Sequence, residues 1–195
     1  MGFAEQEDRR EVAALAARFV AEAGLDYASA KAKAARAVFG GRAPRGALPD
    51  NDEIDEALRE HLDLFDEAHG ERVARMRRAA LDLMDRLAAF TPMATGAVWK
   101  GVVAEHAPIH LQLFHDNGKE VEYWLLDRRI EFEVATLPHF RGQGEVEALM
   151  LEWRGEPVLL TIYAHDDLRG ALRAGAAGPQ RGDRAALAAR LDASP

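Results

Sequence analysis

Between Lys100 and Asp116 the sequence sets several side chains with potential chemistry close together: Lys100-Gly101, Glu105, His106, His110, Gln112, His115 and Asp116. Alternate residues of an extended chain share a face, so a strand over Ile109 to His115 puts His110 and Gln112 together and turns His115 the other way. A neutral imidazole and an amide form hydrogen bonds readily but are poorer ligands than carboxylates for hard cations such as Mg²⁺. Zinc held by Glu105, His106, His110, His115 and Asp116 is chemically conceivable, yet Pro108 breaks the local register and no helical zinc-binding spacing is present. No metal site is expected. A second group, Pro138-His-Phe-Arg-Gly-Gln-Gly144, sets the Arg141 guanidinium among glycines, where it can fork a phosphate. Lys100 beside Gly101 offers a similar contact.

Other chemistries have no residues to carry them. The chain has no cysteine, which excludes thiolate catalysis and disulfides and fits a reducing compartment. Its only serines are Ser29, in an Ala-rich stretch, and Ser194, at the extreme end, and no Gly-x-Ser-x-Gly elbow occurs. Gly118-Lys119 is followed by Glu120, so a phosphate-binding Gly-x-x-x-x-Gly-Lys-Ser/Thr loop is missing as well. The net charge of −8 argues against a general nucleic-acid coat. Charge is unevenly distributed. Tyr27 to Pro49 contains Lys31, Lys33, Arg36, Arg42 and Arg45 without an acid, whereas Asp50 to Glu67 has nine acids against Arg59 alone. These segments are expected to attract one another or to be solvated faces, and the alternative is a contact for a partner or RNA.

The elements that must position these residues follow from periodicity. Val12, Leu15, Ala16, Phe19, Val20 and Ala23 recur at helical spacing before Gly24. A second helix is expected from Asp26 to Phe39, ending at Gly40-Gly41. Asp50 or Asn51 can cap a third, with Ile54, Ala57, Leu58, Leu62 and Phe65 as its stripe. Gly70 is expected to separate this from a fourth, which buries Val73, Met76, Ala80, Leu83, Met84, Leu87 and Phe90 and stops at Pro92. The period then changes to extended. Ala97 to Ala104 and Ile109 to His115 read as strands, Lys119 to Arg129 as a helix, and Ile130 to Leu137 as a third strand. Val146 to Trp153 and Val158 to His165 form a hairpin around Arg154-Gly155-Glu156-Pro157. A short helix is expected at Asp183 to Leu191.

Thr95-Gly-Ala-Val-Trp-Lys-Gly101 followed by Ala107-Pro-Ile-His-Leu-Gln-Leu-Phe114 resembles the core of the nucleotidyltransferase superfamily related to DNA polymerase β. The resemblance covers roughly residues 80 to 165. In that family a helix leads to a strand ending in Gly-Ser, and the next strand carries Asp-x-Asp, whose two carboxylates hold the divalent ions bridging a triphosphate. It implies that Gly101-Val102 takes the Gly-Ser place and that Pro108 and His110 take the aspartate places. The third carboxylate of the family has no counterpart on Val158 to Tyr163.

The expected architecture is α+β, an N-terminal helical bundle packed on a small mixed β-sheet of nucleotidyltransferase-like topology. Residues 1–91 are read as the helical region, 92–170 as the nucleotidyltransferase-like α/β core, and 171–195 as a flexible tail with a short helix. The resemblance implies a catalytically degenerate nucleotidyltransferase-like protein, not a conventional enzyme of that kind, that binds a nucleotide, a nucleic-acid end or a protein partner. Lys100, Gly101, His110, Gln112 and Arg141 would line its vestigial cleft. No cofactor is expected, and Mg²⁺ enters only in the alternative of an active enzyme that uses Glu105, Glu133 or Glu147 instead. A further alternative is a non-catalytic interaction module built on the basic segment 31–45. No apolar run approaches the roughly 20 residues of a membrane span, and Met1 to Arg10 has no apolar signal core. The chain is therefore expected in the cytoplasm.

Overall fold

The computed structural model of the chain describes residues 3–41, 43–44, 46–172 and 178–193. It is an α+β protein whose described residues cluster into two compact units. One holds the chain to His69 together with Val102–His106, and the other holds Gly70–Gly101 and the chain from Ala107 onward.

The first unit contains α1 (Phe3–Ala23), α2 (Tyr27–Phe39) and α3 (Asn51–Phe65). Small residues let these helices approach closely. Ala16, Ala17, Ala30 and Ala34 are fully buried beside Val12, Ile54, Leu58 and Leu62. Caps fix the ends. Asp26 accepts from Ser29 N–H at the start of α2, Gly40 closes it in a left-handed conformation, and Asp50 and Glu53 form a reciprocal capping box on α3. Arg9 crosses from α1 to Glu53 at 2.7 Å. Burial, together with a hydrogen bond to Asp55, holds the Tyr27 phenol above its ordinary range. Val102 completes this core although it comes from far along the chain. His69 secures that segment, its Nε2 accepting from Val103 N–H at 3.3 Å while Nδ1 lies 3.2 Å from Asp63.

The second unit opens with α4 (His69–Arg86), whose first residue belongs to the helical unit. Gly70 therefore lies inside this helix and does not separate it from α3. The break is made instead by Asp66, whose N–H still bonds Leu62, whose carbonyl accepts from His69, and whose carboxylate accepts from Ala68. The helix also ends earlier than Pro92, at Arg86, and a 3₁₀ turn over Ala88–Phe90 leads to β1 (Pro92–Thr95). The expected strand from Ala97 to Ala104 is a short helix, α5 (Gly96–Lys100), and an irregular segment. Gly96, at φ 64°, turns the chain directly after Thr95, and Gly101 N–H bonds Ala97 O at 2.8 Å, a helical turn that an extended strand cannot make.

The remaining elements are β2 (Ile109–Phe114), α6 (Gly118–Asp127), β3 (Phe132–Pro138), β4 (Glu145–Trp153), β5 (Glu156–Tyr163), α7 (Leu168–Ala171), β6 (Arg181–Gly182) and α8 (Arg184–Asp192). Thus the segment after Gly170 contributes a strand and a capped helix, Asp183 accepting from Ala186 N–H. The six strands are ordered β3-β4-β5-β2-β1-β6, with β2 and β5 parallel and the other pairs antiparallel. β4 and β5 turn at Arg154-Gly155, both with positive φ, the two-residue geometry that suits strand twist. One face of the sheet carries Leu111, Leu113, Leu149 and Leu160, all fully buried. α4 and α6 lie on it: Asp82 accepts from Trp153 Nε1 at 2.9 Å, and Gly118 abuts Ile162. The stripe Met76, Ala80, Leu83 and Leu87 is buried within the unit. No helix among the described residues is long and apolar enough to cross a membrane.

Candidate functional site

The opposite face of the sheet is the polar one. Strand register places Glu133, Met150, Leu159, His110, Thr95 and Arg181 in a single row across it. The neighbouring row holds Ala135, Ala148, Thr161, Gln112 and Met93. Directly opposite residues on paired strands project to the same side, so these side chains share one surface. Toward the ends of β2 and β5 that surface turns apolar. Phe114 and Tyr163 stack there, with Phe140, Leu168 and Ala171 packed around them.

His110 is the centre of the polar part. Its Nε2 lies 3.0 Å from Thr161 Oγ1, and burial, aided by the positive charge of Arg181, pushes the imidazole down to about 4. It is uncharged at neutral pH and acts as a hydrogen-bonding group. Gly96 lies behind it, close enough that a Cβ there would stand 3.7 Å from His110 Cβ. Gln112 is 4% exposed, and its Oε1 has no hydrogen-bond partner among the described residues. Arg181, on the short edge strand, is in the same condition, since its Nε and Nη1 are buried without partners. Desolvation lowers its basicity, and its guanidinium stands 5.0 Å from the Phe140 ring.

Several interactions keep Arg181 in place. Thr95 Oγ1 donates to Gln180 O at 2.9 Å, and Trp99 Nε1 donates to Pro179 O at 2.8 Å. The Trp99 ring covers Gly182 so closely that no Cβ fits, and the Arg190 guanidinium lies over that ring at 3.9 Å. The segment carrying Arg181 is thereby fastened to β1 and α5.

The residues expected to line a cleft divide into three sets. His110 and Gln112 meet on the polar face, as alternation on a strand requires. Lys100 and Gly101 instead close α5: Gly101 N–H bonds Ala97 O at 2.8 Å with φ 72°, and its Cα faces Arg77. Arg77 is buried and donates to Val98 O at 3.1 Å and Arg190 O at 2.9 Å, so the glycine at 101 makes room for a structural arginine. Arg141 sits in the loop beside the apolar end of the face, ion-paired to Asp167 at 3.2 Å. Asp167 also lies 3.2 Å from His139 Nε2. Arg181, Thr95 and Thr161 escaped the sequence reading. Thr161 had a visible signal, its place on a strand among apolar residues, but Arg181 lies in an Ala-, Gly- and Arg-rich stretch with no strand pattern.

Among the described residues no group of three or more His, Asp or Glu side chains could hold a metal ion. Glu133 shares a row with His110 but stands three strands away, about 14 Å at ordinary strand spacing. Glu147 pairs opposite Thr136 and points to the other face, where it approaches Lys119 at 3.6 Å. Neither converges on His110. No protein-family model matches the sequence, and neither a curated protein nor a solved structure matches the chain.

Proposed function

We propose that this chain is a nucleotidyltransferase-like binding protein that takes a nucleotide on its polar sheet face without a metal ion and without phosphoryl transfer. One observation carries the reading. The strand position at which the resemblance implies a metal-binding aspartate is His110, uncharged and hydrogen-bonded to Thr161, and its row neighbours Thr95 and Leu159 are not acids either. Two-metal phosphoryl transfer depends on anionic ligands that concentrate divalent cations, and around His110 this surface offers the neutral Thr161 hydroxyl and the positive charge of Arg181.

β1 ends at Thr95 and the short helix α5 separates it from β2, so the order is helix, strand, short helix, strand, helix, strand and hairpin, and Gly101-Val102 follows a helix where the resemblance implies the end of a strand. The cysteine-free composition fits this reading in the cytoplasm.

The active-enzyme alternative gains nothing from Glu133 and Glu147, which lie far from His110 or on the other face. Nor does any observation favour the interaction module. Lys31 hydrogen-bonds Asn51 at 3.3 Å, Lys33 lies over Phe19 at 4.3 Å, and Arg42 and Arg45 fall outside the described residues.

Calorimetric titration with ATP, GTP, CTP and UTP, each with Mg²⁺ and with EDTA, tests the proposal. Binding of at least one nucleotide with the same affinity in both buffers, and no release of pyrophosphate, is the expected result. Binding that requires Mg²⁺, or any turnover, overturns it.

A further inference from the structure

We propose that Arg181 and Gln112 together form a metal-independent anion site, in which the guanidinium receives a phosphate-type or carboxylate oxygen and Gln112 Oε1 accepts from a donor beside it. This rests on the reading of the polar sheet face as a binding surface. A guanidinium withdrawn from water is unfavourable unless an anion accompanies it, and each unpaired buried donor or acceptor adds its own penalty. Arg181 has two buried nitrogens without partners and no carboxylate within ion-pair distance among the described residues, in a chain with 33 acids.

Asp183, two residues along the chain, accepts from Ala186 N–H as the cap of α8. Asp167 is engaged by Arg141 and by His139, both at 3.2 Å. Phe140 covers the guanidinium from one side but supplies no anion. Gln112 adds an unsatisfied acceptor that is itself 4% exposed and sits one row further along the same face. A ligand that satisfies both must offer an anionic oxygen and a nearby N–H or O–H. Phosphate monoesters with an adjacent hydroxyl, or a protonated phosphate oxygen, have that pattern, as do hydroxy and amino acids. Preorganisation strengthens the case. Trp99, Thr95 and Gly182 hold the β6 backbone, so little ordering remains to oppose binding.

The test is an NMR titration of the full chain in EDTA, following the Arg181 Nε–Hε resonance. Inorganic phosphate, adenosine monophosphate, acetate and glycolate serve as probes. A saturable shift at Arg181, absent at the surface residue Arg184, is expected with phosphate and the nucleotide; saturation by glycolate in their place assigns the site to carboxylates. Arg181→Lys, which keeps the charge but loses the fork, should weaken that binding about ten- to a hundredfold, and Gln112→Met less. An Arg181 response no larger than that of Arg184, or a direct Arg181–Gln112 hydrogen bond in the free protein, overturns the proposal. Nucleotide binding unaffected by Arg181→Lys would sink this site while leaving the proposed function standing. A phosphate response without nucleotide binding would do the reverse.

Discussion

A histidine kept uncharged inside a fold makes that fold sensitive to acid, because the proton it refuses when folded is accepted readily by the unfolded chain. For His110 the folded value of about 4 lies below the ordinary 6.5, chiefly through burial and secondly through Arg181. Its contribution to stability is therefore fully present above the unfolded value, is lost as pH falls between the two values, and changes no further below the lower one. At about 1.4 kcal/mol per pH unit over that interval, the loss amounts to roughly 3 kcal/mol. Urea unfolding of wild type and His110→Gln across this range should show a steeper decline for the wild type; parallel curves would mean that the imidazole is not desolvated. His110 and Gln112 were legible in the sequence because two-residue alternation on a strand needs only local information. Arg181 was not. Its importance arises from being opposite Thr95, and so in line with His110, a relation that only the pairing of a two-residue strand creates.

At the scale of elements, the sequence was most legible where pattern and packing agree. The helix at Gly118–Asp127 buries Val121 and Leu125, and the hairpin turn at Arg154-Gly155 has the glycine its geometry favours. Legibility failed around Gly96. Ala97-Val98-Trp99 and Val102-Val103 have β-branched and aromatic residues in a strand-like run, but Gly96 breaks the direction of the chain and tertiary burial overrides local preference. The same short helix then acquires a role that its sequence does not announce: it presents Trp99 as the clamp over β6. Gly182→Ala tests that role. Its Cβ would collide with the Trp99 ring and stand 3.0 Å from Ala186 Cβ, so the ring must shift, which strains its hydrogen bond to Pro179 O. The expected cost is about 1–3 kcal/mol, as for other overpacked sites, accompanied by a shift and faster hydrogen exchange of the Trp99 indole N–H. An unchanged indole resonance and an unchanged melt would show that the clamp is loose.

For the molecule as a whole, the most consequential feature is that the chain enters the helical unit twice. After α3 it passes into α4, β1 and α5, and then Val102–His106 rejoin the first unit before β2 begins. Val102 is 1% exposed in the core formed with Val12, Ala16 and Ile54, and Val103 N–H is held by His69. A simple division of the sequence at the end of the helices would remove those residues from the core they complete. An uncharged truncation, Val102→Ala, should cost about 1–3 kcal/mol by opening a small cavity, whereas Val102→Asp buries a carboxylate without a partner and should cost more. The distribution of the loss is the stronger test. Native-state hydrogen exchange on the full chain should show amides of α1, α2 and α3 losing protection in both variants by more than the amides of β4 and β5 do. Equal losses in all five elements would mean that the two units unfold as one, and that the returning segment is a common keystone instead of part of the helical core.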